Sequence, residues 1–220
     1  MVEKELSDYL KLIDSRAPGN EIYDVEVAGM TLRINPYVWD PTRGKSSKMF
    51  LRVLAEYPLV DDERILDVGT GSGVLALVLW KRGAKHIQAV DNMEEAVKTA
   101  RYNFERNGAD IETRSSDLFS NVSGRYGLIV FNAPATHPLR RDVPRTMQSL
   151  WSPEDNLQLR YAKGLEEHLV VCGKALLMYS RFPDFDPIPE ATLRALGISF
   201  AYLERDTSGL TESGVIELRR

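Results

Sequence analysis

A glycine-rich turn and two aspartates are the residues of this sequence best suited to bind a ligand. The turn runs from Asp67 to Gly73, after a short apolar stretch and before a segment with helical periodicity. Glycines in such a turn let a ligand approach the backbone closely. Asp91 ends the next apolar stretch, where a carboxylate can accept both ribose hydroxyls of an adenosine. Together these residues predict a nucleoside-binding loop.

The residue types in this loop argue against a dinucleotide ligand. The dinucleotide fingerprint has Gly or Ala where this sequence has Val74, whose branched side chain disfavours close packing of helix on strand. The carboxylate of Asp67 would repel a pyrophosphate but suits an ammonium group. The predicted ligand therefore carries an adenosine and a positively charged amine, and no phosphate.

Alternating strands and helices surround this loop. Predicted strands lie at 64–68, 86–90, 111–114, 126–131 and 174–180, and predicted helices at 72–82, 93–107, 153–171 and 189–196. This alternation predicts an α/β fold with a mainly parallel sheet. Residues 199–204 and 214–218 predict a terminal antiparallel hairpin.

The region before the loop has a different pattern. It predicts a helix at 5–16, a hairpin at 22–34 and a helix with Ser47 as its N-cap. We expect residues 1–58 to form a lid or appendage and residues 59–220 to form the ligand-binding domain.

Composition excludes several classes of protein. The chain has 220 residues, 43% hydrophobic and 27% charged, which is ordinary for a globular protein. Its net charge of −4 indicates no generally basic surface for nucleic acid. A single cysteine, Cys172, which we expect in the core, excludes an internal disulfide and favours a cytoplasmic protein. No apolar run is long enough to span a membrane, and no cluster has metal-ligand spacing, so we expect neither membrane nor metal.

Residues 64–134 resemble the class I S-adenosylmethionine-dependent methyltransferases. The turn at 67–73 resembles their first motif, Asp91 their ribose-binding acid, 116–118 their adenine-contacting segment and 131–134 their fourth motif. The resemblance implies a Rossmann-like fold with a mainly parallel, seven-stranded sheet and a terminal antiparallel hairpin. It also implies S-adenosylmethionine as the cofactor.

The resemblance assigns a role to each residue of these motifs. Asp67 would hold the α-amino group of the cofactor, directly or through water. Asp117 would accept a hydrogen bond from the adenine amino group. A turn-capping role is the alternative for the latter. The residues placed on the cofactor are Asp67, Gly69, Thr70, Gly71, Gly73, Asp91, Asn92, Asp117, Leu118 and Asn132.

The fourth motif bears on the methyl acceptor. In the small methyltransferase domain type of this family, the fourth strand ends in Asn/Asp-Pro-Pro-aromatic. The Asn accepts a hydrogen bond from the target nitrogen, and the aromatic ring stacks on the planar group that carries it. Here the residues are Asn132, Ala133, Pro134 and Ala135, so no ring is available. We expect Asn132 to be catalytic and a stacked planar acceptor to be disfavoured.

Further candidates flank this motif. His137 could take a proton from the acceptor, and Arg140 and Arg141 could hold a carboxylate or phosphate of the substrate. The alternative for His137, Arg140 and Arg141 is a solvated loop. The alternative for Tyr37 and Trp39 is packing within the lid. The residues expected to line the acceptor site are Tyr37, Trp39, Ala133, Pro134, Arg140 and Arg141.

We therefore expect an enzyme that transfers a methyl group to N or O of a soluble acceptor. A small metabolite is the favoured substrate, because the stacking residue is missing and the chain is acidic. Three alternatives remain open. They are an RNA or protein N-methyltransferase, an enzyme that attacks the aminocarboxypropyl carbon (forming azetidine-2-carboxylate and releasing methylthioadenosine), and a non-catalytic S-adenosylmethionine-binding partner subunit.

Overall fold

A computed structural model describes residues 7, 11, 20–138, 147–152 and 156–220. The helices are α1 (Lys45–Glu56), α2 (Val74–Lys81), α3 (Glu94–Arg106), α4 (Leu157–His168) and α5 (Glu190–Ala195). The strands are β1 (Tyr23–Val27), β2 (Met30–Ile34), β3 (Arg64–Val68), β4 (His86–Asp91), β5 (Glu112–Ser115), β6 (Tyr126–Phe131), β7 (Ala135–Thr136), β8 (Trp151–Ser152), β9 (Leu169–Arg181), β10 (Ser199–Asp206) and β11 (Glu212–Arg219). Most of the predicted helix at 5–16 lies outside the described residues.

Seven strands form one sheet in the order β10-β11-β9-β6-β3-β4-β5. The pairs β3–β4, β3–β6, β4–β5 and β6–β9 are parallel, and β11 pairs antiparallel with both β9 and β10. The predicted fold class, a mainly parallel seven-stranded sheet with a terminal antiparallel hairpin, is therefore confirmed. The carboxyl ends of β3, β4 and β6 lie at one edge of the sheet, where α/β proteins place their ligands.

Apolar layers cover both faces of the sheet. On one face, side chains from β2, α1 and α2 form a core that includes Leu32, Phe50 and Leu77. On the other face, β6, α4 and α5 contribute Ile129, Tyr161 and Leu193. Strands buried on both faces are continuous apolar runs, which explains why β3 and β6 lack alternation.

The region before the loop packs as part of this core. Strands β1 and β2 form the predicted hairpin, with Ala28 and Gly29 at its turn, both at positive φ. Met30 and Leu32 of the hairpin belong to the same apolar cluster as the sheet. The division at residue 58 stays a prediction, and the structure shows that the hairpin and α1 share a core with the seven-stranded sheet.

Several local predictions need correction. Helix α1 begins at Lys45 with Gly44 as its N-cap, so Ser47 is not the cap. Helix α4 ends at His168 and the chain continues directly into β9, so the predicted helix at 153–171 is too long. Cys172 is exposed at a positive φ of 63°, not in the core. None of the helices in the described part of the chain is long and apolar enough to cross a membrane.

Candidate active site

A cavity of about 410 Å³ lies at the carboxyl ends of β3, β4 and β6. Its volume is in the range of small-molecule sites. Of the predicted cofactor residues, those that line it are Gly69, Thr70, Gly71, Asp91, Asn92, Asp117, Leu118 and Asn132. Of the predicted acceptor-site residues, those that line it are Tyr37, Trp39, Ala133 and Pro134. Arg140 and Arg141 lie outside the described residues.

The glycines of the loop have different roles. Gly69, Gly71 and Gly73 all have positive φ, between 55° and 84°. A Cβ at Gly71 would meet only the Gly69 carbonyl oxygen, at 4.0 Å, so the cavity side of this residue is open to a ligand. A Cβ at Gly73 would lie 2.5 Å from Phe104 Cε1. Gly73 therefore allows α2 to pack on α3 and does not line the cavity.

Asp91 connects the loop to the cavity. Its Oδ2 accepts from the backbone N–H of Gly71 at 2.9 Å, and its Oδ1 accepts from Met93 N–H at 2.9 Å. Burial raises the pKa of this carboxyl above its usual range. A carboxylate oxygen can accept more than one hydrogen bond. Asp91 can therefore hold the loop and still accept from ribose hydroxyls.

Asp67 is fully buried beneath the loop and does not line the cavity. Its Oδ2 accepts from Thr70 Oγ1 at 2.7 Å and from Ala76 N–H at 3.3 Å, and its Oδ1 has no partner among the described residues. Burial raises the pKa of Asp67 to about 7. The predicted role of Asp67, to hold an ammonium group directly or through water, stays a prediction. Asp67 supports the loop, and a cation bound above it would favour its ionised form.

The predicted adenine segment forms a tight turn at the cavity wall. Ser116 Oγ donates to the Leu118 carbonyl at 2.9 Å and accepts from Asn121 N–H at 3.0 Å. Leu118 is buried at a positive φ of 48°. Asp117 Oδ2 forms an ion pair with Arg160 Nη2 at 2.7 Å and remains half-exposed. An adenine contact by Asp117 and Leu118 stays a prediction.

Asn132 is held in one orientation by the region before the loop. Its Nδ2 donates to Ser47 Oγ at 3.2 Å, and Trp39 Nε1 donates to the same oxygen at 3.1 Å. Ser47 is fully buried. The Oδ1 of Asn132 is buried at the cavity wall without a hydrogen-bond partner among the described residues. An unfilled acceptor is thereby kept beside the cavity.

The turn after Asn132 is anchored from two sides. Gln158 of α4 is buried, and its Nε2 donates to the Pro134 carbonyl at 3.2 Å. Its Oε1 accepts from Thr136 Oγ1 at 3.1 Å. On the other side, Ala135 N–H donates to the Leu150 carbonyl at 2.9 Å. Sequence reasoning missed Ser47, Gln158 and the segment 147–152, because their contacts depend on the tertiary fold.

His137 is not part of the cavity lining, and its catalytic role stays a prediction. Its ring is 2% exposed and lies edge-on to Phe182 and Phe185, with centroids 4.8 Å and 5.8 Å away. Its Nε2 lies 3.2 Å from Asp184 Oδ1. Phe182 also stacks on the buried Trp151 of β8, so His137 lies beside a small apolar cluster.

The described residues contain no group of three or more side chains that could hold a metal ion. Both the glycine loop and Asn132 fall within a match between residues 41–152 and the family described as methyltransferase small domain. The chain belongs to the methyltransferase small domain family. Its members are class I S-adenosylmethionine-dependent methyltransferases, which confirms the resemblance found in the sequence.

Curated relatives are similar to this chain over part of their length. A protein of Methanocaldococcus jannaschii, named as a protein N5-glutamine methyltransferase, is 36% identical over 110 residues, covering 50% of this chain and 53% of that protein. A ribosomal protein L11 methyltransferase of Thermosipho africanus is 39% identical over 107 residues, covering 47% and 40%. This chain therefore matches about half of these relatives or less.

A solved structure of another protein shows the same fold. It is described as a ribosomal protein L11 methylase from Lactobacillus delbrueckii subsp. bulgaricus, with a TM-score of 0.56 and 24% identity. The match covers 79% of this chain and 80% of that one. At this identity the likeness supports the fold alone.

The cavity of this small methyltransferase domain fits the family's cofactor, S-adenosylmethionine. Gly71 leaves open space where a ligand can lie on the backbone, and Asp91 presents a carboxylate at the predicted ribose position. Asp67 is buried beneath the loop, and its Oδ1 has no hydrogen-bond partner among the described residues. This suits a cationic ligand above the loop.

Proposed function

We propose that this chain transfers a methyl group from S-adenosylmethionine to a nitrogen of a protein. The observation that carries the proposal is Asn132, whose Nδ2 is tied to Ser47 while its Oδ1 remains an unfilled acceptor at the cavity wall. An N–H group of the acceptor is the natural partner for that oxygen.

The residues position the acceptor for an in-line displacement. The cofactor supplies an electrophilic methyl group on its sulfonium when bound. Asp91 and the loop at Gly71 hold the cofactor, and Asn132 Oδ1 accepts from the acceptor N–H. That hydrogen bond fixes the direction of the nitrogen lone pair, and correct orientation alone can supply a large part of the rate enhancement.

The fourth motif lacks the ring that would stack on a planar acceptor, whether a nucleobase or a glutamine amide. Ala135 occupies the place of the stacking ring and pairs with Trp151 in the β7–β8 ladder. The Trp151 side chain is fully buried and stacks on Phe182, at a centroid distance of 6.0 Å. Neither residue offers an aromatic face at the position where the motif normally carries a ring.

The names of the relatives favour a protein acceptor. One is named for glutamine of a protein and another for ribosomal protein L11. This supports the alternative of a protein N-methyltransferase over the metabolite favoured from the sequence. The family membership gives no support to attack on the aminocarboxypropyl carbon.

The test is to follow a labelled methyl group into separated acceptor fractions. Purified protein is incubated with methyl-labelled S-adenosylmethionine and, in turn, a nuclease-treated and dialysed protein fraction, purified RNA, and a filtered small-molecule fraction of a cell extract. We expect label in the protein fraction and equimolar S-adenosylhomocysteine. Label confined to RNA or small molecules, or release of methylthioadenosine, would overturn the proposal. Asn132→Ala is the matched variant and should label the protein fraction about 100-fold more slowly than wild type.

A further inference from the structure

Ser149 is a second unpaired polar group in the same cavity. It lies in the described segment 147–152, and it lines the cavity together with Asn132. Its Oγ is shielded from water and has no hydrogen-bond partner among the described residues. An unpaired buried hydroxyl disfavours the folded state, and a bound ligand is one of the ordinary explanations for it.

The fold holds this serine beside the fourth motif. Ala135 N–H donates to the carbonyl of Leu150, the residue after Ser149, at 2.9 Å. The pairing continues as Ala135 opposite Trp151 and Thr136 opposite Ser152. The segment is also closed on itself, since Leu150 N–H donates to the Met147 carbonyl at 2.9 Å. The position of Ser149 relative to Asn132 is therefore set by backbone hydrogen bonds.

We propose that Ser149 binds the methyl acceptor together with Asn132, and that the two oxygens accept the two N–H groups of a primary nitrogen. The proposal rests on the proposed function. Asn132 Oδ1 can only accept, and a serine hydroxyl has two acceptor lone pairs besides its donor. With both N–H groups held, the lone pair of the nitrogen is the one direction left for the incoming methyl group.

This arrangement favours a single methyl transfer. The nitrogen lone pair forms the new N–C bond, the C–S bond breaks, and its electron pair stays on the sulfur, which becomes a neutral thioether. The nitrogen then loses one proton to water. The product nitrogen has one N–H fewer, so it can no longer donate hydrogen bonds to both Asn132 Oδ1 and Ser149 Oγ. A second transfer at the same nitrogen is therefore disfavoured.

The experiment compares wild type with Ser149→Ala, Ser149→Thr and a control, Ser199→Ala. Ser199 is an exposed serine of β10 outside the cavity. The acceptor is the nuclease-treated protein fraction. Two readouts concern the reaction: the initial rate at each acceptor concentration, and the amounts of mono- and dimethylated amino acids after hydrolysis. The other two are the cofactor affinity and the Tm. We expect Ser149→Ala to raise the half-saturating acceptor concentration about tenfold, the effect of about one hydrogen bond. Its dimethyl product should also increase.

The remaining readouts separate a binding role from a structural one. Ser149→Ala should keep or raise the wild-type Tm, because an unpaired hydroxyl is removed and no internal hydrogen bond is lost. It should keep the wild-type cofactor affinity, and Ser149→Thr should restore most of the activity. Unchanged rate and product ratio in Ser149→Ala, or a lowered Tm with proportionate loss of all functions, would overturn the role of Ser149. If wild type labels another fraction, the proposed function fails, and the same comparison on that fraction decides the role of Ser149.

Discussion

At the residue scale, the site depends on three polar side chains that each do a different task. Asp67 supports the glycine loop from below, Asp91 joins the loop to the cavity, and Asn132 presents an oxygen at the cavity wall. Each makes at least one hydrogen bond that fixes its orientation. Because their tasks differ, their substitutions should affect different measurements.

Asn132→Ala should lower turnover about 100-fold, the size of effect expected when a reacting group loses its positioning. Cofactor affinity should change little, because the loop and Asp91 are untouched. Methyl transfer to the protein fraction and calorimetry with S-adenosylmethionine measure the two effects separately. Asn107→Ala, at the end of α3 and outside the cavity, is the control. Full turnover in Asn132→Ala would place the acceptor elsewhere.

Asp91→Ala should weaken S-adenosylmethionine binding at least tenfold. The substitution removes the predicted ribose contact and also the acceptor for the Gly71 N–H, and a hydrogen bond to a charged group contributes about 1.5–3 kcal/mol. Titration calorimetry measures the dissociation constant. Asp110→Ala, an exposed position outside the cavity, should bind as wild type does. Equal affinity in Asp91→Ala would contradict the ribose assignment.

Asp67 should make stability fall as pH rises from about 4 to about 7. Burial raises its pKa from the ordinary 3.8 to about 7, so between these values the folded state still holds a proton that the unfolded state has lost. Stability therefore decreases across that window and levels off above it. Urea unfolding at pH 5 and pH 8 should show a smaller difference for Asp67→Asn than for wild type. Asp62→Asn, an exposed position paired with Lys85, serves as the control, and an equal effect of both variants would refute this account.

At the element scale, the sequence carries the information for features set by neighbouring residues. The glycine loop, the parallel strands and the terminal hairpin are predictable because turn chemistry and apolar runs are local. The contacts of Ser47 with Asn132, and of Gln158 with Pro134, join residues far apart in the chain. His137 shows the converse case, since its place beside the motif suggested chemistry and its burial against Phe182 depends on the fold.

The packing of α2 on α3 through Gly73 is testable at this scale. Gly73→Ala would put a Cβ 2.5 Å from Phe104 Cε1, at a φ of +84°. Gly83→Ala is the matched control, because its φ is +99° and nothing lies within 4 Å. Backbone strain should cost each variant about 1–2 kcal/mol. Gly73→Ala should lose a further ~1–3 kcal/mol from overpacking. Equal losses in urea unfolding would contradict the packing role.

At the scale of the whole molecule, the cavity needs contributions from distant parts of the chain. Trp39 and Ser47 come from the region before the loop, and Asp206 and Ser213 come from the terminal hairpin. An ion pair joins Lys45 Nζ to Asp206 Oδ2 at 3.4 Å, and a second joins Arg52 of α1 to Glu204 of β10. The region before the loop is thus a wall of the site, although whether it also closes as a lid stays a prediction.

The measurement that tests the account most directly is the position of the transferred methyl group. Tandem mass spectrometry of the protein fraction, after incubation with methyl-labelled S-adenosylmethionine, identifies the modified residue and the atom that carries the label. The account predicts a single methyl group on a nitrogen, which wild type adds and which Asn132→Ala adds about 100-fold more slowly. A methyl group on oxygen or carbon, or equal labelling by both proteins, would contradict it.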